Sequence, residues 1–76
     1  MAEKAVDSRV RRTKRLLKQG LTELMAQKSI KKITVRELSE LVDINRGTFY
    51  LHYTDVYQLL HSIEDELLVE FERVLD

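Results

Sequence analysis

Two polar residues, Thr34 and Asn45, place the strongest limit on what this chain can fold into. Thr34 begins the run TVRE, which puts Glu37 three residues after a threonine, the spacing of a capping box at the start of a helix. Asn45 is a second preferred N-cap residue, and the run VDIN that ends at it is typical of a turn. The sequence therefore predicts two short helices, over about 34–42 and 45–52, joined by a tight turn.

Longer apolar stripes predict one helix before this pair and one after it. The first is predicted over about 8–28, with Asp7 or Ser8 as its N-cap, and its buried face repeats every three or four residues. That face comprises Val10, Thr13, Leu17, Gly20, Leu21, Leu24 and Met25. The basic connection QKSIKKI follows and is expected to place Ile30 and Ile33 in the core.

The last helix is predicted over about 55–75, with Asp55 as N-cap and Gln58 three residues later. Its stripe comprises Val56, Leu59, Leu60, Ile63, Leu67, Phe71 and Val74. This stripe is longer than three short helices can cover, so we expect its distal part to face further chain or another subunit. The second helix contributes Leu38, Leu41 and Val42, Ile44 points inward from the turn, and Phe49 and Tyr53 are assigned to packing.

These elements define the expected fold class, which is all-α. Residues 1–76 form a single small domain, a helix-turn-helix bundle of three helices plus a long fourth helix. No repeat, low-complexity run or Pro/Gly/Ser linker divides the chain. Gly20 lies inside the first helix, where it lowers helix propensity, so close packing against another helix is its expected role.

Composition narrows the function classes. The chain has no cysteine and two histidines, so we expect no disulfide, no metal site and no cofactor. The carboxylates of the last helix stand without a nucleophile or a glycine-rich phosphate loop, which argues against an enzyme. The longest apolar runs are too short for a membrane span or a signal peptide, and we expect a cytosolic protein.

Net charge is zero, but the charges are separated along the chain. Residues 1–36 carry eleven Lys/Arg and three Asp/Glu, whereas residues 37–76 carry two and ten. Such polarity can orient a domain against a polyanion, and it is equally compatible with two ordinary solvated helix faces. Charge alone leaves both interpretations open.

The third helix carries side chains that suit the reading of DNA. Arg46, Gly47, Tyr50 and Leu51 fall on the arc opposite Phe49. Arginine can donate two hydrogen bonds to guanine, leucine can contact a thymine methyl, and glycine lets the backbone approach. Thr48, Tyr50 and His52 each offer a donor for phosphate oxygen.

The stretch KITVRELSELVDINRGTFYLHYTDVYQLL resembles the N-terminal DNA-binding domain of the TetR family of bacterial transcriptional repressors, most closely in its Firmicutes branch. The resemblance covers about residues 9–68 and is carried by the threonine cap, the turn length and the run TFYLHY. It implies a homeodomain-like fold, phosphate contacts at Thr34, Thr48, Tyr50 and His52, and a third helix that reads a palindromic operator in double-stranded DNA. It also implies a homodimer, a small-molecule inducer bound by a C-terminal domain absent from this chain, and a cytoplasmic, nucleoid-associated location.

One position departs from the family pattern. Val56 stands where the family usually has a lysine on the phosphate side, so backbone amides of Tyr57 and Gln58, or the basic first helix, would have to supply that contact. The candidate DNA-binding residues are Thr34, Arg36, Asn45, Arg46, Gly47, Thr48, Tyr50, Leu51, His52 and Tyr57, with Arg11 and Arg15 as additions from the first helix.

A second function is compatible with the same fold. A helical protein-interaction module that has lost DNA binding would use the exposed stripe of the last helix as its docking surface. The two functions differ in salt sensitivity, because phosphate binding weakens steeply as salt rises and apolar docking does not.

Overall fold

A computed structural model describes residues 2–75 of the chain, with side chains from residue 7 onward. Four α-helices follow one another: α1 (Ala2–Met25), α2 (Val35–Val42), α3 (Arg46–His52) and α4 (Val56–Leu75). A short 3-10 helix, Ile30–Lys32, lies between α1 and α2. The described residues contain no strand, which confirms the all-α prediction of a helix-turn-helix bundle with a long fourth helix.

The bounds of α1 differ from the prediction at both ends. The helix begins at Ala2, so Asp7 and Ser8 lie inside it and neither is its cap. Alanine, glutamate and lysine in this segment are strong helix formers, and they extend the helix toward the N-terminus. The helix ends at Met25, three residues before the predicted end, and the next residues form a turn in which the N–H groups of Gln27 and Lys28 both bond to Leu24 O at 3.0 Å.

The core is built mainly by α1, α2 and α4, and α3 is held against α2 by Phe49. Five side chains are fully buried, and each contributes about 1.5–3 kcal/mol of hydrophobic stabilisation: Leu17, Leu21, Leu38, Phe49 and Leu59. Ile33 is buried and Ile30 packs beside it, as predicted for the basic connection. Leu41 and Met25 were expected in the core, but Leu41 is 48% exposed and Met25 is also exposed.

The contact between α1 and α2 explains both Gly20 and the position of Leu41. A Cβ atom added at Gly20 would lie 2.5 Å from Val42 Cγ1 and 2.9 Å from Leu38 Cδ1, so α2 approaches the bare backbone of α1. The same Cβ would lie 3.7 Å from Leu41 Cδ2, so one methyl group of Leu41 covers the edge of this contact while the rest of the side chain meets solvent. The predicted packing role of Gly20 is confirmed.

The turn between α2 and α3 has the hydrogen bonds of a Schellman motif. Asp43 follows the last residue of α2 and adopts a left-handed conformation, φ 57° and ψ 47°. Its N–H points to Glu40 O at 3.4 Å, and the N–H of Ile44 donates to Ser39 O at 2.9 Å. Ile44 packs against the core, as this motif favours. The chain is thereby redirected within two residues, and Asn45 can start α3 at once.

α4 divides into a packed half and an exposed half. Asp55 Oδ1 accepts a hydrogen bond from Gln58 N at 2.9 Å, which confirms the predicted cap. Val56 and Leu59 are buried, and Leu60 and Ile63 pack against the core. Beyond them the apolar side chains are exposed, as predicted for the distal stripe: Leu67, Leu68, Val69, Phe71, Val74 and Leu75.

The molecule is flat, with principal extents of 40 × 39 × 18 Å. Lys18 on α1 pairs with Glu66 on α4 and joins the two long helices beyond the core.

No helix in residues 2–75 is both long and apolar enough to cross a membrane.

Candidate nucleic-acid interface

Two capping residues set the start of each helix in the α2–α3 unit. Thr34 Oγ1 accepts from Glu37 N at 3.0 Å, and Asn45 Oδ1 accepts from Gly47 N at 2.7 Å. Glu37 does not make the return bond to Thr34 N that a capping box would have; its carboxylate oxygen Oε2 lies 2.6 Å from Lys28 Nζ. The hydroxyl of Thr34 and the side-chain amide of Asn45 keep donors that can serve a ligand.

α3 buries one face and presents the other to solvent. Phe49 is fully buried, and Tyr53, just past the helix end, is 7% exposed. On the opposite side Tyr50 is 57% exposed and Leu51 is 79% exposed, while Arg46 is exposed as well. The rings of Tyr50 and Phe49 pack edge to face with centroids 5.3 Å apart. This contact holds the Tyr50 ring in place, and its hydroxyl remains available to a ligand.

Gly47 has a local structural role in addition to the predicted one. A Cβ atom at this position would lie 3.0 Å from Asn45 Oδ1, which is tighter than an ordinary contact. A bare backbone therefore lets the Asn45 side chain fold over the first turn of α3. Thr48 and His52 are half-buried on the flanks of the helix, between the core face and the exposed arc.

A groove between α2 and α3 gathers three of the candidate residues: Arg36, Asn45 and Arg46. Two carboxylates, those of Glu40 and Asp43, line the same groove. Arginine and carboxylate side chains are thus equal in number, and the groove lacks the uniform positive charge of a general polyanion surface. Arg36 Nε donates to Glu40 Oε1 at 3.2 Å, and both side chains are largely exposed.

The start of α4 offers fewer hydrogen-bond donors for a phosphate than the sequence predicted. Val56 is 5% exposed and packs in the core, so this position offers no side-chain donor. The Gln58 amide, expected as a substitute, already donates to Asp55. Tyr57 is exposed beside it and keeps its hydroxyl available.

Arg11 and Arg15 lie on a separate surface. They line a groove between α1 and α4 together with Lys14, Lys18, Gln19 and Glu66. No residue of this set lines the α2–α3 groove. Arg11 and Arg15 thus line a different groove from Arg36 and Arg46.

Three charged residues near the interface were missing from the sequence-based set. Lys31 and Lys32 are exposed on the 3-10 helix directly before Thr34, and Glu40 lies in the α2–α3 groove. Glu40 could have been predicted, because it lies four residues after Arg36 and this spacing brings side chains together on a helix. Across the part of the chain that the structure describes, no group of three or more His, Asp or Glu side chains could hold a metal ion.

The arrangement of α2, a tight turn and α3 on a core of longer helices is that of a helix-turn-helix domain. The chain is similar to an uncharacterised HTH-type transcriptional regulator, YxbF, of Bacillus subtilis (strain 168), with 34% identity over 51 residues. That stretch is 67% of this chain and 13% of YxbF, so the match spans a small part of the relative's length. No protein-family model matches the chain. No solved structure matches it either.

Proposed function

We propose that this chain is the DNA-binding domain of a bacterial transcriptional regulator and has no enzymatic activity. One observation carries the proposal: α3 holds Arg46, Tyr50 and Leu51 on a solvent-exposed arc while Phe49 anchors the opposite face in the core. A short helix fixed in this way by a preceding helix and turn is the unit that enters the major groove in helix-turn-helix proteins. The similarity to YxbF, an HTH-type transcriptional regulator, supports the same role.

The finer proposal is a TetR-family repressor. Its support is the run INRGTFYLHY together with the Thr34 cap. In this proposal α3 reads a palindromic operator, and Thr34, Thr48, Tyr50, His52 and Tyr57 hold phosphates. Arg36, Asn45, Arg46, Gly47 and Leu51 then face base edges or let the backbone approach them, and Arg11 and Arg15 add charge from α1.

The remaining features of such a regulator concern the whole protein. We propose a cytoplasmic, nucleoid-associated homodimer whose small-molecule inducer binds a C-terminal domain outside this chain. The match to a short part of YxbF is compatible with a domain of this kind inside a longer protein.

The experiment is an NMR titration of the isotope-labelled chain with duplex DNA from the region upstream of its own gene, at low and at physiological salt. We expect shifts concentrated in residues 34–56 and in the basic segment 9–18 of α1 that fade as salt rises, because phosphate contacts release counterions. Arg46→Ala should weaken these shifts, whereas Arg73→Ala, at an exposed arginine on the distal part of α4, should not.

A protein-interaction module is the second candidate, and the exposed apolar half of α4 favours it, with Val74 80% exposed. It predicts no DNA-dependent shifts at either salt and broadening of α4 signals through self-association. That result would reject the DNA-binding proposal and direct the search toward a protein partner.

A further inference from the structure

An ion pair on α2 lies within the candidate interface. Arg36 and Glu40 are one helical turn apart and line the same groove as Arg46. Their side chains are 73% and 69% exposed, and the contact is made by Arg36 Nε and Glu40 Oε1 at 3.2 Å.

The contact with Glu40 uses only the Nε atom of the Arg36 guanidinium. A guanidinium has one N–H on Nε and four on its two Nη atoms, arranged in a rigid fork. Glu40 occupies the Nε donor, so both Nη atoms remain free. Two N–H donors pointing the same way are what bidentate recognition of guanine O6 and N7 requires. A side chain already held in place also loses less conformational entropy on binding.

We propose that Glu40 is a positioning residue that orients the Arg36 guanidinium for reading a guanine. The proposal rests on the DNA-binding function proposed above and deepens the role of the same surface. The negative charge of Glu40 has a second effect, because it opposes close approach of phosphates to the groove. Glu40 therefore raises the preference for the cognate sequence and lowers affinity for other DNA.

The competing explanation is that the pair only supports α2. Exposed pairs at this spacing contribute little to stability, and a purely structural role would leave sequence preference unchanged. Sequence preference at single positions is thus the readout that separates the two roles. The matched control is Glu70 on α4, an exposed carboxylate 3.6 Å from Arg73 Nη1 and outside the α2–α3 groove.

The experiment is selection from a randomised duplex library by the 76-residue chain at low salt, followed by sequencing. The variants are Arg36→Ala, Glu40→Ala, the double variant, Glu40→Gln and Glu70→Ala, each checked by its circular dichroism spectrum and melting curve. We expect Arg36→Ala to abolish a guanine preference at one position. Glu40→Ala should weaken that preference about three- to tenfold, part of the discrimination of a bidentate contact, and the double variant should match Arg36→Ala.

Glu40→Gln separates orientation from charge. Its amide oxygen can still accept from Arg36 Nε, so we expect the guanine preference to survive while affinity for a mixed-sequence duplex rises and depends more steeply on salt. Glu70→Ala should change neither property.

Three outcomes would overturn this proposal: an intact guanine preference in Glu40→Ala, additive effects in the double variant, or the same change in Glu70→Ala. A wild-type chain that enriches no sequence would instead overturn the DNA-binding function, and this inference would fall with it.

Discussion

Asp43 is the only described residue with a positive φ, and the turn between α2 and α3 depends on its left-handed conformation. A left-handed conformation costs a residue with a Cβ atom about 1–2 kcal/mol, whereas glycine adopts it freely and loses about 0.5–1 kcal/mol more entropy on folding. We therefore predict that Asp43→Gly increases the free energy of unfolding by about 0.5–1 kcal/mol, measured by urea denaturation.

The control is the same substitution at Asp65, an exposed residue inside α4. Asp65→Gly should lower stability by a few tenths of a kcal/mol, the propensity difference in a helix interior. A loss of stability in Asp43→Gly as well would show that the aspartate side chain contributes more to this turn than its backbone costs.

Arg46 and Tyr50 are predicted to contribute to DNA binding in different ways. Arg46→Ala should reduce discrimination at one operator position by about 1–3 kcal/mol, because a bidentate contact to a base is lost. Tyr50→Phe should weaken binding to all sequences alike, because a phosphate contact carries no sequence information. Fluorescence anisotropy on a set of single-base operator variants measures both effects. Uniform weakening by Arg46→Ala would remove it from the base-reading set.

At the scale of elements, α2 and α3 are too short to be stable alone, since isolated helices of fewer than about 12–15 residues are marginal in water. α2 is stabilised by its cap and by packing on α1, and α3 by its cap and by packing on α2. The close approach of α2 to Gly20 is therefore a condition for the position of α3, which packs on α2 through the Schellman turn.

Gly20→Ala tests this contact. Alanine favours a helix interior by about 1 kcal/mol, but overpacking costs about 1–3 kcal/mol, and the methyl group would lie 2.5 Å from the stiff side chain of Val42. We predict a net loss of about 1 kcal/mol, measured by thermal or urea denaturation. In the double variant Gly20→Ala/Val42→Ala the added methyl has room, so the loss caused by Gly20→Ala should shrink or vanish. Equal losses in both backgrounds would contradict steric contact as the cause.

At the scale of the whole molecule, basic and acidic residues are separated along the sequence, and ion pairs such as Lys18–Glu66 and Lys28–Glu37 join the two halves in the fold. The flat body, 18 Å in its smallest dimension, carries one α3. One such domain can engage one half-site, while the two half-sites of a palindrome are about 34 Å apart. A single copy is therefore expected to bind DNA weakly.

Joining two copies should restore strong binding. A Gly/Ser linker of about 40 residues has a root-mean-square length near 34 Å, and tethering raises affinity by about 10²–10⁴ when both sites can be engaged. We predict a gain in this range for the full palindrome, with the half-site duplex as control, measured by anisotropy. An equal gain on both duplexes would contradict the two-half-site geometry.

Local rules predicted the features that depend on neighbours in sequence. The caps at Thr34, Asn45 and Asp55 and the burial of Phe49 follow from spacings of a few residues, so the bounds of α2, α3 and α4 could be read from the chain. The resemblance in TFYLHY added an expected role for these residues, which remains a proposal.

Contacts between distant segments decided the rest. Lys28, beyond the end of α1, pairs with the Glu37 carboxylate on α2, and the closeness of α1 and α2 leaves Leu41 at the edge of the core. The Arg36–Glu40 contact has a spacing visible in sequence, yet its place in the groove beside Arg46 depends on how α2 and α3 pack. Hydrogen bonds within one turn of a helix can be predicted from the residues of that turn. The exposure and direction of a side chain depend instead on how all the helices pack together.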